Sequence, residues 1–202
     1  MKNVDELVVN LTHLMNHKDK VPEEGFIELM GKIFGNNPSL GWELGPSPEK
    51  GEIDVLSIST GDDDEFYEIR DMDIFPIDGS GWQIVLGVPP RNWEMFFFIS
   101  SESNEEIEVD ANNWLYSATW TDNCVDIEMS GPRRDLIDKG IIDDALRVVL
   151  VGEIGELNLR SFVRSFKFFD GHIDERFKSI KSLRKDFSSH FDSCFYRTFL
   201  VS

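Results

Sequence analysis

The sequence has few of the residues from which metal and nucleophile centres are built. It holds two cysteines and four histidines in 202 residues. Cys124 and Cys194 lie in strand-like segments 70 positions apart, and without an export signal we expect two buried free thiols rather than a disulfide. His13 and His17 share one helix face, but the segment lacks the glutamate of H-E-x-x-H and a third ligand. We therefore expect surface histidines and no metal site.

Long apolar runs and phosphate-binding glycine loops are also missing. The longest apolar runs, such as residues 95–99, fall far short of the roughly 18–20 residues that a membrane helix needs. Residues 1–6 contain no apolar stretch, so we expect no secretory signal, no membrane partner and a soluble cytoplasmic protein. No G-x-S-x-G elbow occurs, and Gly79-Ser80-Gly81 lacks the lysine and the following helix of a P-loop. The sequence therefore indicates no nucleotide and no other cofactor.

Basic residues are scarce and unevenly distributed. The chain has 20 Lys and Arg against 38 Asp and Glu, a net charge of −18. Residues 157–202 hold 9 basic and 5 acidic residues, and the rest holds 11 and 33. A field of this sign repels nucleic acids and anionic lipids and attracts cationic partners. For the basic residues of the last predicted helix we expect a solvated face or a contact with acidic protein surface; they are Arg176, Lys178, Lys181, Arg184 and Lys185.

The first 36 residues show helical periodicity. Asn3 and Glu6 form a capping box before an apolar stripe at every third or fourth position. A second stripe follows Pro22 and ends at Gly35, a residue that suits a helix C-cap. These patterns predict an N-terminal helical hairpin.

From residue 40 the periodicity changes to the alternation typical of strands. We predict strands over 41–45, 53–59, 82–88, 95–100, 107–111, 114–120, 125–130, 159–169 and 195–201, and helices over 62–73, 138–151 and 174–191. The helix between the second and third strands would suit a parallel crossover. We expect one α+β domain over 1–202, with a mixed, mainly antiparallel sheet of about seven strands, helices on one face, and the N-terminal hairpin leading in. A homo-oligomer is compatible with this fold.

Four short motifs, which we call anchors, follow one another along the chain. They are W-E-x-G-P at 42–46, G-W at 81–82, P-P-x-x-W at 89–93 and G-E-x-G-E at 152–156. In these anchors the chain resembles a bacterial family of unknown function, over roughly residues 1–190. The anchors consist mostly of Trp, Gly and Pro, residue types that serve the fold rather than catalysis. The resemblance therefore implies a shared fold and assigns no catalytic residue.

Aromatic residues stand beside polar ones in the strand-rich middle of the chain. Trp93, Trp114, Tyr116 and Trp120 have Asp110, Asn112 and Asn113 as sequence neighbours. Such a group can bind a cation or a carbohydrate, but in a tryptophan-rich meander it more often forms the core. We expect a core.

Two acidic clusters are the candidate binding residues. The denser cluster contains Asp62, Asp63, Asp64, Glu65, Glu68, Asp71 and Asp73, and the second contains Glu102, Glu105, Glu106 and Glu108. A calcium loop is not indicated, because Phe66 and Tyr67 occupy positions where ligands or the turn glycine should stand. Carboxylates in the first cluster could also simply favour the N-terminus of a helix.

The composition favours binding over catalysis. We predict a non-catalytic acidic module that binds a basic protein, for example an immunity protein that blocks the cationic cleft of a nuclease. The alternative is a hydrolase whose carboxylates, or whose cysteine and histidine, come together only in the fold. No catalytic residue is assigned from the sequence.

Overall fold

The computed structural model describes residues 28, 30–32, 34–35, 40–46, 54–61, 82–100, 105–131 and 139–191. The chain divides into two compact units, residues 1–88 with 197–202, and Pro89–Tyr196. Within the predicted hairpin, residues 28, 30–32 and 34–35 are helical. The first predicted helix, the helix over 62–73 and the strand over 195–201 lie outside the described residues. The N-terminal hairpin and the single domain therefore stay predictions.

The first unit contains a three-stranded sheet. Its strands are β1 (Leu40–Pro46), β2 (Asp54–Thr60) and β3 (Trp82–Leu86). β1 and β2 pair antiparallel, whereas β2 and β3 pair parallel. A parallel pair needs a long crossover connection, and the chain between β2 and β3 supplies one. The predicted parallel pairing is confirmed.

The described residues of the second unit form six strands in two sheets. β4 (Phe96–Ser100) and β5 (Glu106–Asp110) form an antiparallel ribbon. β6 (Leu115–Trp120), β7 (Val125–Ser130), β8 (Val163–Phe168) and β9 (Lys178–Ser179) form a sheet in the order β8-β7-β6-β9. In this sheet β7 and β8 pair parallel, and the other pairs are antiparallel.

The prediction of one mixed sheet is wrong for the described residues, where the strands fall into three sheets. Within the second unit, the turn after β5 explains why β5 does not pair with β6. Asn112 donates from Nδ2 to the carbonyl of Glu94 at 2.7 Å, which ties this turn back to the start of β4. Trp114 then enters the core at 1% exposure, and β6 pairs with β7 and β9 instead of β5.

The described part of the second unit also contains three α-helices. They are α1 (Lys139–Ile154), α2 (Glu156–Phe162) and α3 (Leu183–His190), the last preceded by a 3-10 turn at Ile180–Ser182. α1 confirms the helix predicted over 138–151. Of the five residues expected to point inward, Ile141, Ala145, Leu146 and Val149 are buried, and Ile142 packs against the core partly buried. Helices and mixed sheets together confirm the α+β class. No helix among the described residues has the length and apolar character to cross a membrane.

The strand predicted over 159–169 is wrong in its first part. Gly155 has φ of +80°, a conformation that costs glycine little, and α2 begins directly after it. Within α2, Glu156 pairs with Arg160 one turn later at 3.0 Å, and both side chains are largely buried. The chain becomes extended only at Val163.

The helix predicted over 174–191 begins later than expected. The carboxylate of Asp174 accepts the backbone N–H of Arg176 at 2.9 Å, a side-chain turn that competes with helix. Lys178–Ser179 then pairs with β6 as β9, and α-helix starts only at Leu183. Of the apolar residues expected on one face of this helix, Ile180, Leu183, Phe187 and Phe191 are buried, whereas Phe177 is half-buried.

The aromatic core prediction is confirmed for Trp114 and Tyr116, which are 1% and 2% exposed, while Trp93 and Trp120 pack against the core half-buried. The Tyr116 hydroxyl donates to Asp186 of α3 at 2.6 Å, and Lys178 of β9 donates to the same oxygen at 2.7 Å. Burial raises the pKa of Tyr116, and the hydrogen bond to Asp186 raises it further. The phenol therefore stays a donor that links β6 to α3.

A double-mutant cycle tests this link. We expect Tyr116→Phe to lower the free energy of unfolding by about 1–2 kcal/mol, because a buried hydrogen bond is lost. The double variant Tyr116→Phe/Asp186→Asn should lose less free energy of unfolding than the sum of the losses in the two single variants, because both substitutions remove the same interaction. Ser189→Ala, an exposed change on α3, is the control and should be additive with Tyr116→Phe. Urea denaturation measures all four variants. Full additivity of Tyr116→Phe with Asp186→Asn would contradict the link.

Candidate functional site

The structure describes only part of the predicted acidic clusters. Outside the described residues lie Glu102 and the whole first cluster: Asp62, Asp63, Asp64, Glu65, Glu68, Asp71 and Asp73. Glu105, Glu106 and Glu108 are described and exposed. Glu106 and Glu108 belong to β5, and Glu105 directly precedes it. The second cluster is therefore the one whose geometry the structure describes, at Glu105, Glu106 and Glu108.

Side chains along β5 alternate between two environments. Glu106, Glu108 and Asp110 are exposed, whereas Val109 is 3% exposed and Ile107 packs against the core. Successive strand residues point to opposite faces, so the burial of Val109 fixes the acidic residues on the outer face. The sequence therefore builds a row of three carboxylates.

β4 places two phenylalanines beside this row. Phe96 and Phe98 are 45% and 58% exposed. In the antiparallel register Phe96 stands opposite Asp110 and Phe98 opposite Glu108. Directly opposed residues share one face of a sheet, with Cα atoms about 4.5–5.5 Å apart. We call this surface the ribbon face; its residues are Phe96, Phe98, Glu106, Glu108 and Asp110.

The two phenyl rings of the ribbon face contact each other. Their centroids are 5.5 Å apart and their planes meet at 89°, an edge-to-face arrangement that aromatic pairs favour. Their neighbour Phe97 points the other way and stacks on Trp93, with centroids 5.7 Å apart. The ribbon thus has a packed inner side and an outer side that presents apolar rings to solvent.

Among the carboxylates of the ribbon face, that of Asp110 is held in place by hydrogen bonds. Asp110 accepts the backbone N–H and the side-chain amide of Asn112 at 2.9 and 2.8 Å. These hydrogen bonds lower the pKa of Asp110, so it is ionised at neutral pH. Within the part of the chain that the structure describes, the side chains of Glu106 and Glu108 form no ion pair or hydrogen bond. The face can therefore attract cations from outside the protein.

The carboxyl end of α1 holds the segment that leads into β4. A helix leaves its last four carbonyls without helical partners, and here all four accept a hydrogen bond. Val151 accepts from Gly155 and Ile154 from the Asn158 side chain, both at 2.8 Å. The other two carbonyls, those of Gly152 and Glu153, bind residues of distant segments.

Gly152 and Glu153 form the centre of a cluster that we call the clasp: Arg91, Trp93, Gly152, Glu153 and Arg184. The Gly152 carbonyl accepts from the Arg91 backbone at 2.7 Å and from Arg184 at 3.0 Å. Arg184 also donates to the carbonyls of Glu153, at 3.0 Å, and Arg91. A cation at a helix C-terminus is favoured by the helix dipole. The clasp thereby joins α1, α3 and the segment before β4.

Glu153 is the buried carboxylate of the clasp, at 4% exposure. Burial raises its pKa, while the Trp93 N–H, at 3.1 Å, and the Arg184 charge lower it in part. A side chain at Gly152 would overlap the Trp93 ring, and one at Gly155 would meet Pro90 Cδ at 2.8 Å. The anchors P-P-x-x-W and G-E-x-G-E thus contact each other, and their residue types are explained by packing.

The described residues give the hydrolase alternative no assembled site. Glu153 is enclosed by Trp93 and Arg184, and Glu156 by Arg160. Cys124 contacts Thr121, and no hydrogen bond joins a cysteine to a histidine in the described ranges. Nor do these ranges contain a group of three residues suited to a metal ion. His13, His17 and Cys194 lie outside them, so the alternative stays a prediction.

Phe96 and Phe98 were not among the binding residues predicted from the sequence. Both lie in an apolar run that reads as buried on both sides. The signal that could have found them is the alternation of β5, because its hairpin partner must share the same inner and outer faces. The predicted site therefore gains two aromatic residues.

Comparisons of the chain with protein-family models, with curated proteins and with solved structures found no match. The resemblance in the tryptophan, glycine and proline anchors stays a prediction. The function of this chain is accordingly inferred from its own residues.

The clasp has a testable pH dependence through Glu153. A carboxyl whose pKa is raised on folding binds its proton more tightly in the folded state, so stability falls as pH rises above the unfolded pKa of about 4.3. Glutamine can still accept the Trp93 N–H but cannot ionise. As the pH rises from about 4 to about 7, wild type should lose stability through Glu153 and the Glu153→Gln variant should not. We therefore expect the free energy of unfolding of the variant, measured by urea denaturation, to increase with pH relative to that of wild type.

The matched control for this measurement is Glu175→Gln, an exposed position that should follow the wild-type profile. If Glu153→Gln instead loses stability relative to wild type as pH rises, the attraction of Arg184 outweighs the cost of burial. That result would contradict the raised pKa.

Proposed function

We propose that this protein is a non-catalytic acidic module that binds a basic protein, and that the ribbon face is its contact surface. The observation that carries the proposal is the alignment of two exposed phenylalanines with a row of three carboxylates. An immunity-type inhibitor of a cationic enzyme, such as a nuclease, is one concrete form of this function.

The apolar part of the ribbon face supports binding rather than solubility alone. Single exposed apolar residues are common on protein surfaces, but Phe96 and Phe98 are adjacent and in ring contact. Aromatic residues are enriched in protein interfaces, where their burial supplies much of the affinity. A surface that served only to keep the protein soluble would not need them.

The charge of the chain supports a basic partner. With a net charge of −18, the protein attracts cationic surfaces and repels nucleic acids and anionic membranes. Electrostatic attraction of this kind speeds association and weakens with salt. We propose that the cluster at 62–73 contributes to this long-range attraction and that the ribbon face makes the direct contact.

We further propose that binding takes place in the cytoplasm. Cys124 is a free, half-buried thiol, a state that a reducing compartment preserves. A bacterial inhibitor of a toxic nuclease would act in this compartment.

Two pairs of variants test the proposal on a purified basic partner, obtained by pull-down from the native host at low salt. Glu106→Gln/Glu108→Gln should slow association several-fold, because the attraction between opposite charges raises the rate of encounter. Phe96→Ala/Phe98→Ala should weaken binding about tenfold or more through faster dissociation. Surface plasmon resonance at two salt concentrations measures both rates.

Matched controls come from the exposed side of α1. Asp143→Asn/Asp144→Asn removes two carboxylates, and Val148→Ala trims an exposed apolar side chain. Both controls should bind like wild type. A captured partner whose binding responds neither to salt nor to the ribbon-face variants would refute the proposal.

A further inference from the structure

The ribbon face pairs each exposed ring with one carboxylate. Phe98 stands opposite Glu108, and Phe96 stands opposite Asp110. The two hydrogen bonds from Asn112 both end on Oδ1 of Asp110, so Oδ2 remains an acceptor. Glu108 has no partner among the described residues. The face therefore repeats one unit, a phenyl ring beside an available carboxylate oxygen, twice along the ribbon.

Each unit has the dimensions to hold one guanidinium group. A cation interacts with an aromatic ring when it lies within about 6 Å of the ring centroid. The opposed carboxylate is anchored on a Cα about 4.5–5.5 Å away across the ribbon, which keeps it within reach of the same group. A planar guanidinium can stack on the ring and donate two hydrogen bonds to the carboxylate at once.

Lysine cannot use the unit equally well. Its ammonium is a compact, strongly hydrated charge that binds a carboxylate as a point and gains less from stacking on a ring. A surface made of carboxylates alone would attract both residues similarly. The phenyl rings are what distinguishes the two cations.

The spacing of the two units defines what the partner must present. Alternate residues of a strand are about 6.6–6.8 Å apart, and the two rings are 5.5 Å apart between centroids. Two cations spaced two residues apart on an extended segment match this distance. The face is also too acidic to suit a second copy of itself, because identical carboxylate rows would repel.

We infer that the ribbon face selects arginine over lysine and binds a segment of the basic partner that carries two arginines in alternate positions. This inference rests on the proposed function and specifies the chemistry of the partner. It goes beyond charge attraction, since it assigns the selectivity to Phe96 and Phe98.

Synthetic peptides test the inference on the full chain. One neutral polar peptide carries two arginines two residues apart; the others carry lysine or citrulline at the same positions. Fluorescence anisotropy at about 20 mM salt, where attraction is weakly screened, gives the affinities. We expect the arginine peptide to bind about five- to tenfold tighter than the lysine peptide, and the citrulline peptide to bind weakest.

Substitutions in the protein assign the preference to the rings. Phe98→Leu keeps apolar surface but removes the ring, and should reduce the preference for arginine toward equality. Glu108→Gln should weaken both cationic peptides, whereas Asp144→Asn on α1 should change neither. Circular dichroism confirms that each variant keeps the wild-type fold.

The outcomes separate this inference from the proposed function. Equal binding of the two cationic peptides, with both still dependent on Glu106 and Glu108, would overturn the inference and leave the proposed function standing. Failure of both peptides to bind, or a preference that survives Phe98→Leu, would overturn it as well. Sedimentation that reveals a dimer lost in Phe96→Ala/Phe98→Ala would instead assign the face to a second copy of the chain.

Discussion

The carboxyl end of α1 is the constraint on which the second unit depends. Its last carbonyls must find donors, and Arg91 and Arg184 supply those for Gly152 and Glu153. These hydrogen bonds fix the path of the segment that enters β4. The hydrogen bond from the Trp93 side chain to the Glu153 carboxylate holds the same segment. Met95 then adopts a φ of +56°, uncommon for a residue other than glycine, and the strand starts with Phe96 on its outer face.

From that starting point the register determines the ribbon face. Val109 and Ile99 are buried on the inner side, so a slip of one residue would expose them and bury the carboxylates of β5. Burying unpaired charges is costly, and the register is therefore strongly specified. The same alternation that builds the core sets the phenyl row beside the acidic row. The candidate binding surface is in this sense a consequence of packing on the other side of two short strands.

Local patterns were sufficient to predict several elements and insufficient for others. The strand predicted over 125–130 is β7, and the helix predicted over 138–151 is α1. The start of α2 depends on the backbone of Gly155 and its contact with Pro90, which no periodicity reveals. β9 has only two residues and exists because β6 lies beside it. The separation of β5 from β6 likewise involves a contact between residues distant in sequence, that of Asn112 with Glu94.

The residues of the candidate site also divide into those that the sequence indicated and those that only the fold revealed. The sequence alone indicated Glu106 and Glu108, because they belong to a cluster of acidic residues. Phe96 and Phe98 became apparent only through the pairing of β4 with β5. The clasp required the fold entirely, since Trp93, Glu153 and Arg184 come from three separate segments. Predictions from sequence therefore captured the sign of the surface and missed its aromatic part.

We propose that a cationic partner binds at the ribbon face. Two-dimensional NMR of the 15N-labelled chain, titrated with the arginine peptide, locates the contact residue by residue. We expect the amide shifts that change to concentrate at residues 96–100 and 106–110 and to saturate with one affinity. Changes confined to residues 62–73, or spread over the acidic surface and abolished by salt alone, would contradict it.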